Sequence, residues 1–289
     1  MAVQPHRVLA AALAIGTLYL TTAFASSAAL IGNLSPAEAL DAFETEPGLA
    51  VDLVACEPFV VDPVAIAWDA RGRLIVAENR DYPTGSPDGT FDGRIVILED
   101  NDGDGRMDRR IEFAHGLPFP NGVMPWRDGI IVTVAPDVIL LRDTDGDGKA
   151  DTREVLLSGF SLGGSSQLRV NDPTLAWDGW VYLAGGLSGG KVWSPIRPDD
   201  KFDLAKGDIR FLPDTGRIEL TDGKSQFGLD FDVAGNRFAC MNRIQVQHAP
   251  LPSRHSARNP NVGPPPALHA CPQIDENKLL ERYANRSEE

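Results

Sequence analysis

A nine-residue segment that occurs twice constrains this chain more than any other feature. Residues 100–108 read DNDGDGRMD and residues 143–151 read DTDGDGKAD. The spacing is the ligand register of a calcium loop. In the second copy Asp143, Asp145 and Asp147 take positions one, three and five, and Gly148 makes the turn. Lys149 offers a carbonyl, Asp151 sits at position nine and Glu154 at position twelve. The first copy supplies Asp100, Asp102, Asp104, Gly105 and Asp108, but its twelfth position is Ile111, with Glu112 one residue late. Aspartates alternating on one turn repel one another, each pair by about 1 kcal/mol in water. A hard cation bound by oxygen alone, Ca²⁺ above all, relieves that repulsion. An acidic turn without metal is the alternative, because Asp-Gly is common turn chemistry. An EF-hand would need a helix on each side. The flanking runs, RIVIL and DVILL before and IEF and EVLL after, are too short for helices and rich in β-branched residues. Both copies therefore read as turns of β-hairpins.

The two loops are 43 residues apart, and their flanks align with them. A second marker recurs: an aromatic residue, a tight Gly-containing turn and an apolar strand. It starts at Trp68, Trp126, Trp177 and Phe231, at spacings of 58, 51 and 54 residues. Repeats of this length built from short strands predict a β-propeller. Runs such as IIVTV are apolar throughout, as expected of blades buried on both faces. The expected architecture is all-β, with four recognisable blades over residues 35–262, closed with four or forming part of a larger ring. A short helix is expected at SPAEALDAF, where Ser35 and Glu38 have capping-box spacing. Residues 263–289 are expected to be an irregular or helical tail.

Lys+Arg 27 against Asp+Glu 41 gives a formal charge of −14, which argues against nucleic acid or an anionic membrane as partner. Residues 1–25 read as a secretory signal, with an apolar stretch ending in AFA, so the protein is expected to be exported to the periplasm or beyond. If that segment is retained, it is long enough to act as a membrane anchor. Outside the cytoplasm, calcium sites of Kd about 10⁻⁴ to 10⁻³ M still fill. Cys56, Cys240 and Cys271 are odd in number, so at most one internal disulfide forms. Neither CxxC nor CxxCH occurs, which leaves no zinc ribbon and no covalent haem. A strand-to-helix GxGxxG is missing as well.

The segments from LSPAEALDAF to AENRDYPTG, GRIVILEDNDGDGRMD, GLPFPNGVMPW through DTDGDGKADTREVLLSGF, and SQFGLDFDVAGNRF together resemble one module. It is the N-terminal β-propeller of planctomycete and verrucomicrobial proteins described as membrane-bound dehydrogenases, itself similar to glucose/sorbosone dehydrogenase propellers. The resemblance implies a sugar or alcohol substrate, pyrroloquinoline quinone (PQQ) and Ca²⁺ as cofactors, and a cytochrome c acceptor supplied by another chain. Within the repeat, Asn79-Arg80 and Asn242-Arg243 fall at equal offsets from Trp68 and Phe231, so both pairs are expected on one rim of the channel. Their guanidinium groups, with Arg169, would suit a quinone tricarboxylate. Asp81, Tyr82, Asn171 and Gln226 are expected neighbours. His248, just beyond Arg243, is the candidate general base. The alternative reading is a non-catalytic propeller that binds carbohydrate or a protein.

Overall fold

The computed structural model describes residues 34–256, 258, 259, 261 and 268–271. The signal segment 1–25 and most of the tail 263–289 lie outside the described residues. The chain divides into two compact units, Met1–Leu53 and Val54–Glu289. In the first, helix α1 (Pro36–Asp41) starts where the capping box places it. The Ser35 hydroxyl accepts the Glu38 N–H, and the Glu38 carboxylate accepts the Ser35 N–H at 2.8 Å.

The second unit is an all-β propeller of four antiparallel sheets. The first blade is β1 (Pro63–Trp68), β2 (Leu74–Glu78), β3 (Gly93–Glu99) and β4 (Arg109–Leu117). The second is β5 (Gly122–Trp126), β6 (Gly129–Val134), β7 (Asp137–Arg142) and β8 (Thr152–Phe160). The third begins with β9 (Asn171–Leu175) and β10 (Val181–Ala184). The chain then makes a detour, β11 (Gly190–Ser194) and β12 (Arg197–Asp203), which extends the second blade to six strands. It returns with β13 (Ile209–Leu212) and β14 (Arg217–Leu220) to finish the third blade. The fourth is β15 (Leu229–Phe231), β16 (Arg237–Met241), β17 (Ile244–Ala249) and β18 (His269–Ala270), so its outer strand comes from beyond residue 262.

Period-2 alternation in the second blade shows why IIVTV is apolar throughout. Ile130, Val132, Val134, Ile139 and Leu141 face the first blade and pack with Ile75, Ala77, Ile95, Ile97 and Phe113. Ile131, Val138, Leu140 and Leu157 face the third and pack with Val181, Leu183, Ile209 and Phe211. Each face buries a full core, as stacked blades require. The junction between the third and fourth blades is thinner, with Ala176, Tyr182, Ala184 and Leu229 as its buried apolar residues. Polar bonds supplement it. Asp208, almost wholly buried, accepts from the Gly185 and Ser225 amides and from the Ser225 hydroxyl at 2.6 Å.

The aspartate loops connect the third and fourth strands of the first two blades, and each docks its blade to a neighbouring element. Met107, closing the first loop, donates its N–H to Val54 and buries its side chain with Leu74, Val76, Val96 and Leu98. Ala150, closing the second, donates to Phe113 of β4 at 2.7 Å, tying the second blade to the first.

Candidate functional site

The first strands of successive blades lie against one another, β1 on β5, β5 on β9 and β9 on β15. Around the N-terminal ends of these strands is a cavity of about 440 Å³. Its walls carry Val64 and Ile66 of β1, Asn79 and Tyr82 after β2, Asn121 before β5, Gln167, Asn171 and Asp172 at β9, and Phe227 before β15. Propeller ligands are bound where such equivalent loops converge.

The polar lining is made of amides, and their hydrogen bonds fix which way they point. Asn171 spends both N–H groups on carbonyls, those of Arg169 (3.0 Å) and Gln226 (2.9 Å). Its orientation is thereby set, and its Oδ1 is buried with no partner. Asn79 donates to Asn121 Oδ1 at 3.3 Å, and Asn121 donates in turn to the Ser166 carbonyl at 2.8 Å. Asn79 Oδ1 is also buried without a partner. Tyr82 donates its hydroxyl to Gln167 at 3.3 Å. Asp172 accepts the Leu229 N–H at 2.7 Å, and burial pushes its carboxyl above the usual carboxylate range. A buried acceptor left unpaired is costly, and both oxygens are closed off from solvent.

None of the cations expected at this rim lines the cavity. Arg80 turns to Asp92 at 3.5 Å. Arg169 lies over the Phe119 ring at 5.0 Å and donates to the Leu162 carbonyl, with its Nε buried and unpaired. Arg243 is exposed. Asn242 is linked to the cavity through its backbone, whose N–H donates to Gln226 Oε1 at 3.2 Å. The Asp81 carboxylate accepts from the Asp92 and Gly93 amides. His248 is on β17, two strands out from β15, stacked on Phe238 at 5.0 Å. Among the described residues, therefore, no Arg, Lys or His lines the cavity. A quinone with three carboxylates needs positive charge; among the described residues this lining offers neutral amides and one carboxylate. PQQ does not fit it.

Sequence reasoning missed Asn121, Gln167, Asp172 and Phe227. One signal was available: Asp-Pro opens the first strand in two blades, at Asp62-Pro63 and Asp172-Pro173. Both aspartates have the same left-handed backbone, φ 48 and φ 49.

The aspartate loops are near copies of each other. Asp100 accepts the Gly103 and Gly105 amides, as Asp143 accepts those of Gly146 and Gly148. The amide bond from Gly105 chiefly holds Asp100 below the usual carboxylate range, and that from Thr144 does so for Asp151. Carboxylate oxygens of Asp100, Asp102 and Asp108 lie within 4.8 Å of one another, and so do those of Asp143, Asp145 and Asp151. Hard oxygens so placed suit a hard divalent cation. Asp104 and Asp147 are turned onto the Arg106 and Lys149 amides, and Glu154 pairs with Arg142 at 2.8 Å.

The sheets and the cavity on their axis define the class, a β-propeller module. Within that class the chain belongs to the family described as a domain of unknown function, DUF7133, which matches residues 35–285. No protein of curated function matches it. Among solved structures it is similar to the holo form of the PQQ domain of a pyranose dehydrogenase from Coprinopsis cinerea. The identity is 15% and the TM-score 0.43, over 66% of this chain. The chain spans about 44% of that domain's length. At this distance the likeness assigns neither ligand nor reaction. Among the described residues, no helix is long and apolar enough to cross a membrane.

Proposed function

We propose that this propeller is an exported binding module that holds a small neutral polyhydroxylated molecule, a sugar or sugar alcohol, in its channel-mouth cavity. One observation carries the reading: a cavity lined by the side-chain amides of Asn79, Asn121, Gln167 and Asn171 beside Tyr82 and Phe227, with no cationic group among the described residues. Hydroxyl groups are donors as well as acceptors, so a polyol matches amide groups of both senses and the Asp172 carboxylate. Phe227 and Tyr82 supply apolar surface for the carbon skeleton. In this reading Ca²⁺ in the two aspartate loops stiffens the docking of the first two blades.

Oxidation of the bound alcohol is the second reading. The observation favouring it is Asp172, whose burial-raised pKa suits a base that accepts a hydroxyl proton. A hydride acceptor would also be needed, and the cavity has no cradle for a tricarboxylate quinone. Binding without turnover is therefore the function the geometry supports better.

The test is calorimetric titration with glucose, galactose, xylose and sorbitol in the presence of Ca²⁺. Gln167→Ala and Tyr82→Phe, both at exposed positions, should keep the fold and weaken binding several-fold. Unchanged affinity in both variants would place the ligand elsewhere and defeat the reading.

A further inference from the structure

A second cavity, of about 430 Å³, lies between the third and fourth blades at the opposite ends of the same strands. Strand β9 begins at the channel mouth with Asn171 and Asp172, and Ala176 and Trp177 beyond its far end line the second cavity. Likewise Phe227 precedes β15 at the mouth, and Phe231 ends it here.

Trp177 is the most unusual feature of this surface. Its side chain is 77% exposed, yet its Nε1–H donates to the Asp232 carbonyl at 3.2 Å, which holds the ring in one orientation. A large apolar ring left in water is the informative kind of exposure, and a ring already ordered loses little entropy on binding. Deeper in the cavity Tyr182 and Phe231 meet edge to face at 4.9 Å. Charges in the wall are matched locally. Asp178 is held by Arg210 at 2.6 Å, and Arg237, nine-tenths buried, faces Asp208 at 3.8 Å. What reaches the opening are single groups of both hydrogen-bonding senses. Asn236 donates its amide to Asp232 at 2.7 Å, which leaves its carbonyl oxygen to accept. Arg254 is exposed and donates. A fixed indole face beside a matched donor and acceptor is the chemistry that recognises a pyranose ring, with C–H groups on the aromatic face and hydroxyls at the edge.

We propose that the cavity between the third and fourth blades is a saccharide-binding site, with Trp177 as its stacking face and Asn236 and Arg254 as its hydrogen-bonding groups. The site is independent of the channel-mouth cavity and stands whether or not that one binds a polyol. Being open at the surface, it suits an oligosaccharide better than a lone monosaccharide.

The experiment titrates the full chain with cellohexaose, xylohexaose and laminarihexaose, read by tryptophan fluorescence and calorimetry. At least one should bind. Trp177→Ala should weaken it tenfold or more, Trp177→Phe less, and Gln167→Ala at the other cavity not at all. Arg254→Ala, which alters an exposed group, should weaken it several-fold and decides the matter if Trp177→Ala fails to fold. No binding by any of the three, binding untouched by both Trp177→Ala and Arg254→Ala, or loss only in Gln167→Ala would each overturn the proposal.

Discussion

At the scale of single residues, Asp172 joins backbone strain, burial and chemistry. It has φ 49, lines the cavity and carries a carboxyl that burial pushes upward. A folded-state pKa above the unfolded one means stability that is fully present below the ordinary Asp range and lost as pH rises through the folded value. At neutral pH the ionised group therefore opposes folding. Asp172→Asn keeps the acceptor for the Leu229 amide and tolerates left-handed backbone. It should raise the melting temperature by a few degrees at pH 7 and change it little at pH 3, as scanning calorimetry would show. Equal shifts at both pH values would mean that the carboxyl is not desolvated. The same variant removes the charge offered to a polyol and should weaken monosaccharide binding.

Residue identity alone could not have located this site. Asn79-Arg80 and Asn242-Arg243 do sit at equal offsets, but offset says nothing of side-chain direction, and Asp92 draws Arg80 away. The amides that line the cavity carry no sequence signature; what singles them out is which carbonyls consume their N–H groups. Asn121 looks like any turn asparagine until Ser166 arrives from the loop between the second and third blades.

Among elements, the aspartate hairpins were the most legible. Loop spacing and strand flanks followed from the repeat; the place of the loops between the third and fourth strands of their blades came from the structure. The twelfth position did not, because Arg142 competes for Glu154 across the hairpin. If a divalent ion fills these loops, it stabilises the folded state by about 2.7 kcal/mol at a hundredfold excess over Kd. EDTA should then lower the melting temperature and CaCl₂ restore it. Asp151→Asn should reduce the calcium-dependent shift far more than Glu154→Gln, since Asp151 belongs to the carboxylate cluster and Glu154 does not. The detour β11–β12 was illegible, because it stands outside the repeat and adds to a neighbouring blade's edge.

Blade junctions differ in how they are held, and that difference sets the expected order of opening. The first and second junctions bury broad aliphatic cores, whereas the junction of third and fourth blades relies on a small cluster and on Asp208, Ser225 and Arg237. Sub-global opening follows local apolar contact. In hydrogen exchange, amides of β16 and β17 should exchange well before those of β6 and β7. Uniform protection across the four blades would contradict this.

For the whole molecule, four marker aromatics sufficed to predict a propeller, because stacked blades repeat one hydrophobic pattern. The ligand was not predictable in the same way. The family resemblance implied an anionic quinone, whereas the cavity presents neutral amides and one carboxylate. Side chains on the first strands also remain open: Ala65 and Ala67 pack toward the second blade, while Val64, Ile66 and Trp68 of β1 are exposed. The most direct test of the account is to titrate the calcium-loaded protein in parallel with PQQ and with the monosaccharide and sorbitol panel. The account predicts a saturable heat with at least one sugar or polyol, and neither quinone retention nor dye reduction. Stoichiometric quinone binding with sugar-dependent dye reduction would contradict it.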